Sequence, residues 1–172
     1  MANLDYNKME MRHKFLQFVK LKGMESFHVL GVGSTDISME YSADSETYKW
    51  VTQKGGKTIS KGYEVTSGVE QFVHADDPLF EAIDKLRRQL ATGDATGELI
   101  NVFSYETEDD FPETAPAEKW DISIEFTTFG GSSEDPLTIG YTINYNGTPK
   151  EGVATIDYDA ATATFAEEVV GE

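Results

Sequence analysis

Residues 62–93 read GYEVTSGVEQFVHADDPLFEAIDKLRRQLATG. This stretch decides the fold, because it sets one helix signal, and the strand leading into it, in a chain otherwise written in strands. Asp77 offers a carboxylate to the free N–H groups of a first helical turn, and Pro78 stands where a missing N–H costs nothing. Leu79, Phe80, Ile83, Leu86 and Leu90 then recur at three- and four-residue spacing as one apolar stripe, while Glu81, Asp84, Lys85 and Arg88 fall elsewhere. The spacing predicts a helix over about residues 77–92, lying against a sheet. Arg87 and Arg88 fall where the helix dipole favours cations, and Gly93 is placed to stop the helix in the left-handed conformation. Upstream, Tyr63, Val65, Val69, Phe72 and Val73 suit a strand over residues 62–74, with a bulge or tight bend expected at Ser67-Gly68.

Towards the N-terminus, residues 44–61, DSETYKWVTQKGGKTISK, combine turn residues, a Gly55-Gly56 pair and Lys49, Lys54, Lys57 and Lys61 with Tyr48, Trp50 and Val51. They read as a long, protruding hairpin or loop. Large apolar residues on text too polar to be core are docking anchors or caps that fold back on the domain, and both readings stand at this point. Residues 35–43 alternate as a strand, so Gly31-Val32-Gly33 is not followed by the helix that a dinucleotide fingerprint needs. Residues 12–21 and 26–30 suit two further strands, separated by the Lys22-Gly23 break. Residues 1–11 are polar with weak periodicity and read as an arm that is flexible unless a partner orders it.

Towards the C-terminus, residues 98–105, ELINVFSY, suit a central strand buried on both sides. Residues 106–118 hold acids, Pro112 and Pro116 and read as a mobile surface loop. The last third predicts strands over residues 120–129, 137–145, 151–158 and 162–165, with turns at residues 130–133 and at Asn146-Gly147. Seven or eight strands and one helix give a mainly β (α+β) chain: a β-sandwich or partly closed barrel, with the helix on a face or over an open end.

The chain has 172 residues, 39% of them hydrophobic, which suits one domain over residues 12–172 with a real core. No apolar run approaches the roughly 20 residues that span a bilayer, and the start lacks the apolar core of a signal peptide, so folding in a cytoplasm and no membrane anchor are expected. The absence of cysteine removes disulfides, thiolate chemistry and cysteine-bound zinc. The net charge of −17 is uneven: residues 1–93 hold 12 Lys/Arg against 13 Asp/Glu, whereas residues 94–172 hold 2 against 18. A chain so acidic does not grip nucleic acid, because phosphate neutralisation needs Lys or Arg in number.

Chemistry-bearing constellations are weak. His13, His28 and His74 stand singly, and no His-x-x-x-His pair exists. Asp157, Asp159 and Glu168 take the first, third and twelfth places of a calcium loop, but the sixth is Thr162 where that loop needs Gly. Asp76-Asp77 looks like paired carboxylates, yet capping explains Asp77, and Glu106, Glu108, Asp109 and Asp110 read as a solvated run. No catalytic, cofactor or metal residue is predicted, and the chain is not read as an enzyme.

Three features together resemble the major tail (tail tube) proteins of long-tailed bacteriophages. They are the run from Gly62-Tyr63 through Asp76-Asp77-Pro78-Leu79 to Gly93, the lysine-bearing residues 44–61, and the ending with Asn144-Tyr145-Asn146-Gly147-Thr148-Pro149, Gly152 and Ala163-Thr164-Phe165. The resemblance implies a β-sandwich or barrel with one flanking helix. It implies homo-hexameric rings stacked into a tube, part of the virion and assembled in the host cytoplasm, with other tail proteins at its ends and DNA only in passage. Residues 44–61, with Tyr48, Trp50, Val51, Lys54 and Lys57 foremost, and the N-terminal arm would then contact the adjacent ring. Acidic tube linings let DNA slide, which suits the charge here. The competing class is a monomeric carbohydrate- or peptide-binding β-sandwich in which Tyr48, Trp50 and Trp120 form an aromatic platform.

Overall fold

The computed structural model describes residues 9–169. Eight strands and one α-helix follow in the order β1 (Phe15–Leu21), β2 (Phe27–Val29), β3 (Glu40–Tyr48), β4 (Lys57–Phe72), α1 (Pro78–Arg88), β5 (Thr96–Phe103), β6 (Thr114–Gly130), β7 (Thr138–Asp157) and β8 (Thr162–Glu167). All neighbours pair antiparallel, in the order β3-β4-β7-β6-β5-β1-β2-β8, and β8 returns to pair with β7. The second half of β7 thus closes a ring with β6, β5, β1, β2 and β8, while its first half carries β4 and β3 as a sheet extending from that ring. The chain is mainly β, a partly closed barrel with one flanking helix.

Strand alternation builds two cores from the two faces of the same strands. On one face, Phe18, Ile100, Val102, Ala115, Ala117, Ala154, Ile156 and Ala163 fill the barrel. Alanines dominate because the ring is narrow, and at Gly152 even a Cβ would collide with the Ala166 carbonyl. On the other face, Val19, Leu21, Leu99, Trp120, Ile122, Ile139, Tyr141 and Ile143 meet the helix stripe of Leu79, Phe80, Ile83 and Leu86. Each fully buried Leu, Ile or Phe of that stripe contributes roughly 1.5–3 kcal/mol. β5 serves both cores and lies between β1 and β6, the central strand its sequence predicts.

The helix begins as predicted: the Asp77 carboxylate accepts from the Leu79 N–H at 3.1 Å, with Pro78 next in line. It ends earlier than the expected residue 92. The Leu90 N–H donates to the Arg87 carbonyl at 3.0 Å and the Ala91 N–H to that of Leu86 at 3.1 Å, which closes the last turn. Leu90, not Gly93, takes the left-handed conformation, with φ 50. Its side chain therefore leaves the stripe and is 83% exposed.

Four other expectations are corrected. Residues 31–39 form a loop, not the first half of a strand: Ile37 and Met39 alternate because they plug the second core from that loop. The break in β4 is not at Ser67-Gly68, whose pairing with β7 is continuous; it falls between Asp44 and Ser45, opposite Gly62 and Ser60. The acidic loop stops at residue 113, since Ala115 and Ala117 are small enough to enter the barrel as the start of β6. Asn146-Gly147 is a bend inside one strand: Asp121 pairs with Asn146 and Lys119 with Lys150, so residues 147–149 stand against Trp120 alone, and these two extra residues, with Gly147 at φ 72, swing β7 from the open sheet into the ring. The expected turn at residues 130–133 does connect β6 to β7. Of the N-terminal arm, residues 1–8 lie outside the described residues, and residues 9–11 are exposed and without regular structure.

Candidate assembly interface

Of the two forms expected for the protruding residues 44–61, hairpin or loop, the structure has the β-hairpin. Glu40 to Tyr48 of β3 pair with Thr66 back to Lys57 of β4, and only residues 49–56 are turn and loop. Thr47 and Thr58 share a hydroxyl hydrogen bond at 2.8 Å across the strands. Every residue of β3 is exposed, and β4 turns inward only from Val65. Both faces of the hairpin, and the outer edge of β3, are therefore bare. A two-stranded hairpin is at best marginally stable in water, and an unpaired edge is a template for another strand.

The five residues singled out in the sequence gather at the hairpin's far end. The rings of Tyr48 and Trp50 lie 5.9 Å apart, Lys57 stands directly across from Tyr48, and Val51 and Lys54 belong to the connecting loop. Trp50 remains 50% exposed, so it does not fold back as a cap on the core. Below the tip, Lys61 pairs with Glu46, and the Tyr48 hydroxyl donates to the same carboxylate at 2.7 Å. The Lys61 ammonium first, and the Tyr48 hydroxyl second, hold the Glu46 carboxyl below the usual range, while the bond to Glu46 pushes the Tyr48 phenol up.

Trp120 is elsewhere. It is 8% exposed, stands edge-on to Tyr145 at 5.4 Å and donates its indole N–H to Glu118 at 3.0 Å. It cannot share an exposed platform with Tyr48 and Trp50. Its neighbours form a buried polar network missed in the sequence: the Gln17 amide donates to Asn101 at 3.0 Å and to the Tyr145 hydroxyl at 3.1 Å, which also meets the Ser67 hydroxyl at 3.0 Å. Its only signal was polar residues at inward-facing strand positions.

The face of β4, β7 and β6 turned away from the helix is read directly from alternation. It carries Glu64, Thr66 and Glu70, Thr142 and Asn144, and Asp121, Ser123 and Glu125, all at least partly solvent-accessible. An acidic, hydroxyl-rich sheet face results. The acidic loop before β6 has a different character: Asp110 and Glu10 pair with the buried Lys14 at 3.6 and 3.5 Å, and Phe111 lies between His13 and Tyr158.

Chemistry stays dispersed. His28 meets the Ser26 hydroxyl and His74 the Phe72 carbonyl. Asp157 accepts from the backbone of Asp159 and Ala160, both at 3.1 Å, which makes it a turn residue. Among the described residues, no group of three or more His, Asp or Glu side chains gathers for a metal and no helix is long and apolar enough to cross a membrane.

No protein-family model matches the sequence, and no curated relative matches it either. Solved structures do. A chain from the tail of an empty GTA particle, refined with C6 symmetry, shares the fold at TM-score 0.59 and 12% identity, over 82% of this chain and 97% of that one. A chain of the six-fold symmetrised anti-feeding prophage baseplate does so at 0.57 and 12%, over 85% and 95%. A chain of the sheath/tube terminator of an extracellular contractile injection system does so at 0.54 and 13%, over 87% and 99%. The fold is that of chains in phage-like tail assemblies, matched over nearly their whole length.

Proposed function

We propose that the chain is a structural subunit of a phage-type tail tube. Residues 12–172 form one tail-tube domain behind an N-terminal arm, and copies assemble as six-membered rings that stack into a hollow conduit through which DNA passes. The observation that carries this is the hairpin of β3 and β4, bare on both faces and along one edge, with Tyr48, Trp50 and Val51 exposed at its end. A single subunit gains nothing from such an element; a polymer covers it. The six-fold symmetry of two structures that share the fold supports the ring number.

The middle of the acidic face of β4, β7 and β6 lines the bore. Glu64, Asp121 and Glu125 repel phosphate, and Thr66, Asn144 and Ser123 keep the wall wetted. Tyr48, Trp50, Val51, Lys54 and Lys57 contact the adjacent ring, and other tail proteins meet the tube at its ends.

Sedimentation and negative-stain electron microscopy of concentrated protein test the proposal. Rings or tubes with a central hole are expected. A protein that stays monomeric at every concentration and salt overturns it.

A further inference from the structure

The hairpin end needs an acceptor surface. On the acidic sheet face, beside the last residues of β4, lies a groove of about 660 Å³ lined by Asp36, Glu70, Phe72, Thr128 and Thr142. It is concave because Gly68 and Gly140 contribute no side chains to its lining, and because the loop of residues 31–39 rises along one side. That loop is fastened where the Phe72 N–H donates to the Gly33 carbonyl and the Ser34 hydroxyl to the Glu70 carbonyl, both at 2.9 Å.

The groove and the hairpin end are complementary in charge and character. The groove offers the carboxylates of Asp36 and Glu70, one exposed ring at Phe72 and threonine hydroxyls. The hairpin offers Lys49, Lys54 and Lys57, none with an ion pair among the described residues, beside exposed Trp50 and Val51. Lys61, in contrast, is taken up by Glu46. Opposite charges set around apolar anchors fix partner and register at an interface.

Direction supplies the second reason. β4 runs from Lys57 at the hairpin end to Phe72 in the groove, 16 residues in one strand. At about 3.3 Å per residue, the two surfaces stand roughly 50 Å apart along it. Complementary but unlike surfaces at opposite ends of one subunit make a head-to-tail contact that repeats along an axis when successive copies point the same way. Resting on the tail-tube reading, we infer that the hairpin end of one copy seats in the Asp36–Glu70–Phe72 groove of a second copy in the next ring.

Charge reversal tests the pairing. In about 0.15 M salt, K49E/K54E/K57E and D36K/E70K should each lower the sedimenting fraction at least about tenfold, and the combined five-fold variant, whose reversed hairpins meet reversed grooves, should return to within about twofold of wild type. Thermal unfolding checks that each variant folds. The chain has no cysteine, so V51C/T35C gives a second readout that keeps every native charge: oxidation of the polymer should yield a covalent ladder beyond the dimer, and V51C alone should not. A wild type that polymerises, with D36K/E70K polymerising equally well, or with no ladder from V51C/T35C, overturns the groove and leaves the tube standing. A wild type that never polymerises overturns both.

Discussion

Tyr48 and Trp50 hold their rings 5.9 Å apart at the end of a hairpin that its own subunit leaves uncovered. Neither ring touches the helix-side core, which is built around Trp120 and Tyr145 instead. The two tryptophans thus divide the labour, one inside the fold and one outside it.

The outer pair sets the first prediction. W50S/V51S removes both exposed anchors and should abolish sedimenting polymer. Surface changes of this kind stay within about 0.5 kcal/mol of wild type in stability. Circular dichroism and the thermal midpoint should therefore be unchanged. Loss of the folded signal would show that Trp50 holds the subunit together.

The helix stripe sets the second. Ile83 and Leu86 are buried between α1 and the sheet, so Ile83→Ala or Leu86→Ala should each cost roughly 2–5 kcal/mol in denaturant unfolding. Lys85→Ala and Leu90→Ala should be nearly neutral, because both side chains are in solvent. Equal losses at Leu86 and Leu90 would mean that the helix continues past Arg88.

The cap of that helix carries a pH dependence. Burial pushes the Asp77 carboxyl up, although the bonds to the Leu79 and Phe80 N–H groups and the nearby His28 and His74 pull it down. A raised folded value means that Asp77 contributes stability that is complete below the unfolded carboxylate range and is lost as pH rises through the folded value. Asp77→Asn keeps an oxygen acceptor without the buried charge. Its stability relative to wild type should therefore rise between acid and neutral pH. Asp77→Ala has no acceptor and should lose about 1 kcal/mol at neutral pH. A flat difference between Asn and wild type across that range would show that the carboxyl is not shifted.

Much of this was legible in the sequence, and particular residues show why the remainder was not. The cap at Asp77 follows from spacing because it bonds only two residues on, and the stripe from Leu79 to Leu86 and the doubly buried β5 follow from periodicity, because an element's own period sets which side chains share a face. Leu90 fits the stripe by period, yet the chain must turn back towards β5, and a left-handed residue there removes it. Ala115 and Ala117 look too weak for a core, because the narrowness of the barrel is set by strands distant in sequence. Asn146-Gly147 is strong hairpin text, but β6 and β7 remain paired on either side of it and turn it into a bend. The hairpin residues were visible as apolar side chains in polar text; the groove at Asp36 and Glu70 was not, because it joins a loop to three strands.

Salt should separate the forces that build the proposed tube. Each copy carries −17, and the Debye length falls from about 30 Å at 0.01 M to about 8 Å at 0.15 M and about 3 Å at 1 M. Whole-subunit repulsion acts over tens of ångströms and is screened first, so polymer should increase between 0.01 and 0.15 M. Lysine–carboxylate contacts are short and weaken last, whereas the packing of Trp50 and Val51 does not depend on screening. Between 0.15 and 1 M, the defect of K49E/K54E/K57E should therefore shrink, while that of W50S/V51S should persist. Sedimentation of the three proteins across one salt series reads all of this. Wild-type polymer that declines steadily from 0.01 M upward would instead make ion pairs the force that holds the polymer together, with repulsion of no consequence.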